Sequence, residues 1–169
     1  MVLSPLIFSC SGPLLTREEA KFFSRRQPFG FILFARNLES PSQITALCKN
    51  LRTSVGWNAP IFIDQEGGRV ARLGSPHWFE FQAALIDAHH PRSERLFWLR
   101  GRLIAHNLIS AGVDVNCAPL GDLARKITHP VLRSRCYGET VTRVVMNARA
   151  MHQGLRSGGV SGVIKHLPG

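Results

Sequence analysis

Short apolar runs alternate along the chain with longer stretches of helical periodicity. The runs cover residues 6–10, 31–35, 61–63, 113–117 and 160–164. They are rich in β-branched or aromatic residues and apolar at successive positions, the pattern of strands covered on both faces. The intervening stretches carry helix starts and stops. Thr16 with Glu19 has the spacing of a capping box, and Ser40 with Gln43 repeats it, with Pro41 at the first helical position. After Ser40, the residues Ile44, Leu47, Leu51 and Val55 form one apolar stripe. A helix is predicted over 93–111 with Leu96, Leu99, Leu103 and Leu108 toward the sheet and Gly112 ending it. Another starts near Thr140, with Val141, Val144, Val145, Ala148, Met151 and Leu155 inward and Gly158-Gly159 closing it. In that helix Met151 reads as core and His152 as a partly exposed residue. The order is β-α-β-α-β-loop-α-β-loop-α-β, which predicts a parallel sheet covered by helices.

Both an open doubly wound sheet and a barrel satisfy that order. The first strand is followed by Ser11-Gly12-Pro13 rather than the glycine-rich loop of a dinucleotide-binding sheet. The two long connections, 65–92 and 118–139, both follow strands, where a (β/α) barrel builds its active face. Polar residues gather at the same strand ends: Arg36-Asn37, Asp64-Gln65-Glu66, Asp122 and Lys165-His166. Charges at the ends of buried strands are costly unless paired or facing a cavity, so one shared polar pocket is expected there. The plainer reading is an ion-pair network closing the barrel top, with Asp64 bound to Arg36 or Lys165.

Composition changes this picture little. With 44% hydrophobic and 19% charged residues the chain is globular. Lys and Arg number 21 against 11 Asp and Glu, a net charge of +10. The cations are scattered and no aromatic stacking platform interleaves with them, so nucleic acid is not expected as a partner. No apolar run has the length of a membrane span. The apolar N-terminus lacks the early Lys or Arg of an export signal, Arg17 being the first cation, and reads as a buried strand. Cys10, Cys48, Cys117 and Cys136 form no CxxC pair, which argues against zinc and for a reducing, cytoplasmic setting.

The most informative segment is Asp64-Gln65-Glu66-Gly67-Gly68-Arg69-Val70-Ala71-Arg72. Paired glycines permit a tight excursion after a strand. A carboxylate at its start accepts from sugar hydroxyls, and the Arg72 fork donates to others. The combination suits a polyhydroxylated ligand better than a phosphate.

This segment resembles the signature of family three glycoside hydrolases, in particular the bacterial single-domain β-N-acetylhexosaminidases of cell-wall recycling. Further segments agree in order: Gly30-Phe31-Ile32-Leu33-Phe34-Ala35-Arg36-Asn37, Cys117-Ala118-Pro119 through Asp122, Arg135-Cys136-Tyr137, and Lys165-His166-Leu167-Pro168-Gly169. The resemblance covers essentially the whole chain. It implies an α/β fold of the (β/α)8 TIM-barrel type, of which residues 1–169 supply about the first five units of one catalytic barrel domain. It implies that Asp64, Arg72, Arg135, Lys165 and His166 hold a terminal N-acetylglucosamine, with no metal or cofactor. His166 is then a substrate contact and not the proton donor. Two departures stand out. Ser134 replaces the acidic residue expected before Arg135, which leaves that arginine without a carboxylate beside it, and Gly121 replaces an aliphatic residue.

Retaining hydrolysis needs a nucleophile on one face of the sugar and an acid/base on the other. The carboxylates expected near the pocket are Asp64, Glu66, Asp122 and Glu139. Asp64 and Glu66 lie too close together on one strand end to serve as that pair. The resembled enzymes use a loop His, assisted by an Asp, and a strand-borne Asp nucleophile, both expected beyond Gly169. The chain is therefore expected to be a truncated one, inactive alone. The function implied is release of terminal non-reducing β-linked N-acetylglucosamine from muropeptides or chitooligosaccharides. The alternatives are a non-catalytic sugar-binding remnant and a β-glucosidase of the same broad family. The sequence specifies no oligomeric state.

Overall fold

The computed structural model describes residues 2–167, so Pro168 and Gly169 of the last motif lie outside the described residues. Within the described residues, five parallel strands form one sheet: β1 (Ser4–Phe8), β2 (Pro28–Leu33), β3 (Ile61–Ile63), β4 (Val115–Asn116) and β5 (Ser161–Gly162). Their spatial order, β1-β2-β3-β4-β5, is their chain order. A doubly wound sheet reverses strand order at a switch point, whereas a barrel wall adds each strand beside the last. The topology therefore selects the barrel arrangement.

Among the described residues, six helices connect and cover the strands: α1 (Arg17–Arg26), α2 (Pro41–Val55), α3 (Ala84–His89), α4 (Ser93–Ala111), α5 (Pro130–Arg133) and α6 (Val141–Ser157). The short α3 and α5 and a 3-10 turn at Ala35–Asn37 were not predicted. The two short helices lie within the long connections, where no apolar period marks them. The capping box of α1 is complete: Thr16 Oγ1 accepts from the Glu19 amide, and Glu19 Oε2 accepts from the Thr16 amide. In α2 only half the device forms. Ser40 accepts from the Gln43 amide, but Gln43 Oε1 reaches back to the Glu39 amide instead. The α2 stripe Ile44, Leu47, Leu51 and Val55 is fully buried as predicted.

Two predicted faces are corrected. In α4 the buried row is Phe97, Arg100, Gly101, Ile104, Ala105, Leu108 and Ala111, while Leu99 and Leu103 are exposed. Both rows follow helical spacing, and Arg100 in the middle of the true one disguises it. In α6 the buried row is Val144, Asn147, Ala150, Met151, Gly154 and Leu155; Val141 and Val145 point outward. The cause is the α4–α6 contact. A methyl on Gly101 would overlap the Met151 carbonyl oxygen, and one on Gly154 the Trp98 carbonyl oxygen. Such backbone proximity turns the glycine rows of both helices toward each other, and the valines away.

Burial on both strand faces is incomplete even in β3, where Ile61 and Ile63 on one face are buried and Phe62 on the other is partly buried, and it fails at the edge strands. Leu6 is 50% and Ile7 45% exposed in β1, and Val163 and Ile164 are half-exposed past β5. An edge strand has a neighbour on one side only, which leaves its apolar side chains partly uncovered. Cys10, just beyond β1, is buried, as its apolar setting predicted.

Candidate functional site

The C-terminal ends of β3, β4 and β5 bring the chemistry together. Gln65 and Asn116, at the ends of β3 and β4, exchange hydrogen bonds: the Gln65 amide donates to Asn116 Oδ1 at 3.0 Å and Asn116 Nδ2 to the Gln65 carbonyl at 2.8 Å. The Gln65 side chain then closes the following loop. Its Oε1 accepts from the amides of Arg72 and Leu73, and its Nε2 donates to the Leu73 carbonyl at 2.9 Å. Gly67 and Gly68 make the excursion between, at φ 86° and 62°, which only glycine adopts freely. The loop thereby folds Arg72 back beside Asp64.

All five sequence-predicted site residues lie at this end of the sheet. Lys165 Nζ contacts Asp64 Oδ1 and Glu66 Oε1, each at 2.7 Å. Arg72 Nη2 stands 3.5 Å from Asp64 Oδ2, and its buried Nε finds no acceptor among the described residues. Arg135 grips Glu66 with both prongs, Nε to Oε2 at 2.8 Å and Nη2 to Oε1 at 2.7 Å. His166 Nδ1 lies 2.8 Å from Asp122 Oδ2. An ionised carboxylate only accepts, so the hydrogen in this bond sits on Nδ1, and in the neutral imidazole Nε2 is then the acceptor.

Several expectations change here. Arg135 does not lack a carboxylate partner; Glu66, 69 positions away, supplies it. That hydrogen bond raises the Arg135 pKa above its ordinary value against the opposing effect of burial. Asp64 pairs with Lys165 and Arg72, not with Arg36. Arg36 donates instead to Ser9 Oγ and the Cys10 carbonyl, and the buried Asn37 Nδ2 to the carbonyls of Cys10 and Gly12, so this pair closes the β1–β2 corner. Glu139 stands outside the cluster, with Arg133 at 3.5 Å and His89 at 3.9 Å. Gly121 sits beside Lys165, whose carbonyl accepts its amide at 2.6 Å.

The sequence reading missed the organising roles of Glu66, Gln65 and Asp122. The available signal was position, a polar side chain at the end of a buried strand. The cluster is graded: the Glu66 side chain is 3% exposed, Asp64, Arg72 and Lys165 are partly open, and His166 is 40% exposed. A cleft of about 590 Å³ extends from Asp122 and His166 beneath Arg125, Thr128, His129 and Leu132.

The four cysteines are free. Burial pushes the thiols of Cys48 and Cys136 up to about 12 and about 11, and burial followed by the nearby Asp64 charge raises Cys117. Cys48 therefore keeps its proton in the fold. That contribution to stability is complete below its unfolded value of 9.0 and is lost as pH climbs through about 12. Alkylation with iodoacetamide at pH 8 is expected to label the partly exposed Cys117 first and Cys48 last. Peptide mass spectrometry over a time course checks the order, and early labelling of Cys48 contradicts it.

The chain matches the family described as "Glycosyl hydrolase family 3 N terminal domain" over residues 12–169. It is 34% identical to a β-hexosaminidase of Haemophilus ducreyi, over 97% of this chain and 48% of that protein. A β-hexosaminidase of Pseudomonas aeruginosa is 32% identical, again over 97% and 48%. Among solved structures, NagZ from Neisseria gonorrhoeae in complex with N-trifluoroacetyl-D-glucosamine superposes with a TM-score of 0.91 at 26% identity, over 99% of this chain and 50% of that one. The chain spans about half the length of the curated relatives it matches. Motif order, barrel topology and the family match agree: the chain belongs to glycosyl hydrolase family 3, matching its N-terminal domain over residues 12–169.

Proposed function

We propose that residues 1–169 are the N-terminal, sugar-binding part of a single barrel domain of a retaining β-N-acetylhexosaminidase. Its substrates would carry terminal non-reducing β-linked N-acetylglucosamine, as muropeptides and chitooligosaccharides do. The observation that carries the reading is the convergence of Asp64, Arg72, Arg135, Lys165 and His166 into one graded cluster. Three cations stand against two carboxylates around Lys165, so the cluster is close to neutral and rich in fixed donors. That suits hydroxyl groups better than a phosphate. Asp64 accepts from ring hydroxyls, Arg72 and Lys165 donate, Arg135 holds Glu66 below them, and His166 presents Nε2. The solved NagZ complex with an N-acylated glucosamine supports the same sugar class.

Catalysis is placed elsewhere in the protein. Asp64 and Glu66 both contact Lys165 Nζ, so they share one side of any bound sugar and cannot supply opposite faces. The acid/base His and nucleophilic Asp implied by the family resemblance lie outside residues 1–169 in this reading. We place the protein in the cytoplasm, in keeping with four free thiols; no described helix is long and apolar enough to cross a membrane.

Calorimetric titration tests the proposal. The 169-residue chain is expected to bind N-acetylglucosamine in preference to glucose, without hydrolysing an aryl N-acetylglucosaminide. Asp64→Asn is expected to weaken binding about tenfold or more, the worth of a charge-assisted hydrogen bond of about 1.5–3 kcal/mol. Equal binding of glucose would shift the reading to a β-glucosidase. Hydrolysis by the chain alone would overturn the placement of catalysis.

A further inference from the structure

We propose that Arg100, on α4, is the positioning residue that sets Glu66 against Arg135 and Lys165; its consequence for sugar binding rests on the function proposed above. Arg100 touches no part of the open site. It is a fully buried cation in a helix row that otherwise holds apolar residues, glycine and the small Ser93. Its guanidinium is spent on four acceptor contacts. Nε and Nη2 donate to Asp87 Oδ2 at 3.2 and 2.6 Å, Nη2 to the Gln82 carbonyl at 2.8 Å, and Nη1 to the Glu66 carbonyl at 3.1 Å. Gln82 Nε2 donates to the other oxygen of Asp87. The rings of Phe81 and Phe97 lie 5.1 and 5.8 Å from the guanidinium carbon.

These contacts join the two segments that make the floor of the site. The Glu66 peptide leads into Gly67-Gly68, where the backbone is least constrained. It is held by its amide to the Val70 carbonyl, by the Gly68 amide to the Phe81 carbonyl, and by Arg100 at its own carbonyl. A methyl on Gly67 would overlap Arg100 Nη1, so the loop is packed directly on the guanidinium. On the other side, Asp87 lies in α3, and the Leu85 amide of α3 donates to the carbonyl of Ser134, the residue before Arg135. One planar fork thus registers the loop bearing Glu66 with the segment that delivers Arg135. A lysine offers a point charge for Asp87 but no fixed fork for the two carbonyls.

The test uses the 169-residue chain with two variants, Arg100→Lys and the double variant Asp87→Asn/Arg100→Met. The second removes both charges, so no buried carboxylate is left unpaired. Ile44→Val in α2 serves as a destabilising control remote from the site. Three quantities are read: Tm, the Arg135 Nε–H resonance in 15N-edited spectra, and affinity for N-acetylglucosamine. Both Arg100 variants are expected to shift or exchange-broaden the Arg135 resonance and to weaken the sugar about tenfold, roughly one lost hydrogen bond in affinity. Ile44→Val is expected to lower Tm while leaving the resonance and the affinity in place. An unchanged Arg135 resonance in both Arg100 variants, with only Tm lowered, overturns the proposal. Failure of the unaltered chain to bind N-acetylglucosamine would count against the sugar-binding reading alone, because the Arg135 resonance still decides the positioning role.

Discussion

Replacing Glu66 by alanine is expected to destabilise the protein by about 3–5 kcal/mol and, on the function proposed above, to abolish sugar binding, because it removes the carboxylate that Arg135 and Lys165 share. The magnitude follows from burial. Glu66 is almost wholly enclosed, and the Arg135 guanidinium above it is also mostly covered. Without the carboxylate, both prongs of Arg135 lose their acceptor in a place water reaches poorly, and a cation left buried costs more than the pair contributes. Lys165 keeps Asp64 and is affected less. Glu66→Gln is expected to fall between: its carbonyl oxygen still accepts one prong, while its amide opposes the other donor. Added salt is expected to restore little, since a buried pair is screened far less than an exposed one. Urea denaturation of the two variants measures the first effect and calorimetric titration the second. A Glu66→Ala midpoint indistinguishable from that of the unaltered chain would show that the network contributes nothing to the fold.

Gly154→Ala is expected to lower stability by about 1–3 kcal/mol or more, the penalty for overpacking a close contact. Helix propensity points the other way, favouring alanine over glycine by about 1 kcal/mol inside a helix. The contact decides the sign. A methyl at Gly154 would overlap the Trp98 carbonyl oxygen and crowd the Arg102 amide at 2.9 Å and the Gly101 Cα at 3.1 Å. These are backbone atoms of α4, so no side-chain rotation relieves them, and the two helices must separate. Arg100 precedes Gly101 on that helix, so the separation is expected to reach the Glu66 loop as well. Gly12→Ala is the natural comparison, because nothing lies within 4 Å of a methyl there and φ is not in the left-handed range. It is expected to be neutral or to stabilise by about 0.4–1 kcal/mol through the unfolded chain. Thermal unfolding of both variants checks the contrast, and a stabilised Gly154→Ala would refute the close helix contact.

What could be read in the sequence has a common character. The Thr16–Glu19 box, the Ser40 cap, the stop at Gly112, the whole span of α4 and the Ile61–Ile63 strand are set by residues a few positions apart. Alternation of strand and helix predicted a parallel sheet under helices without separating an open sheet from a barrel, and the strand-end position of Asp64, Lys165 and His166 marked the polar cluster. What failed depended on distant neighbours. Leu99 and Leu103 form as good an apolar row as the one actually buried. Only the approach of α6, through Gly154, selects the row containing Arg100 and Gly101. Gln43 has the spacing of a capping box, yet it bonds Glu39 and the Pro13 carbonyl, which a different loop brings near.

The site divides along the same line. Residue type and strand-end placement, which are local, determined by themselves that carboxylates and cations would meet at one end of a parallel sheet. Which carboxylate meets which cation was decided by tertiary structure alone. Arg135 finds Glu66 across 69 positions and Lys165 finds Asp64 across 101. The Arg100 fork on α4 joins the Glu66 loop to the stretch holding Gln82 and Asp87. An ion pair depends on separation in space, falling off with distance and with contact to water. Chain position carries neither quantity until the strands are laid side by side.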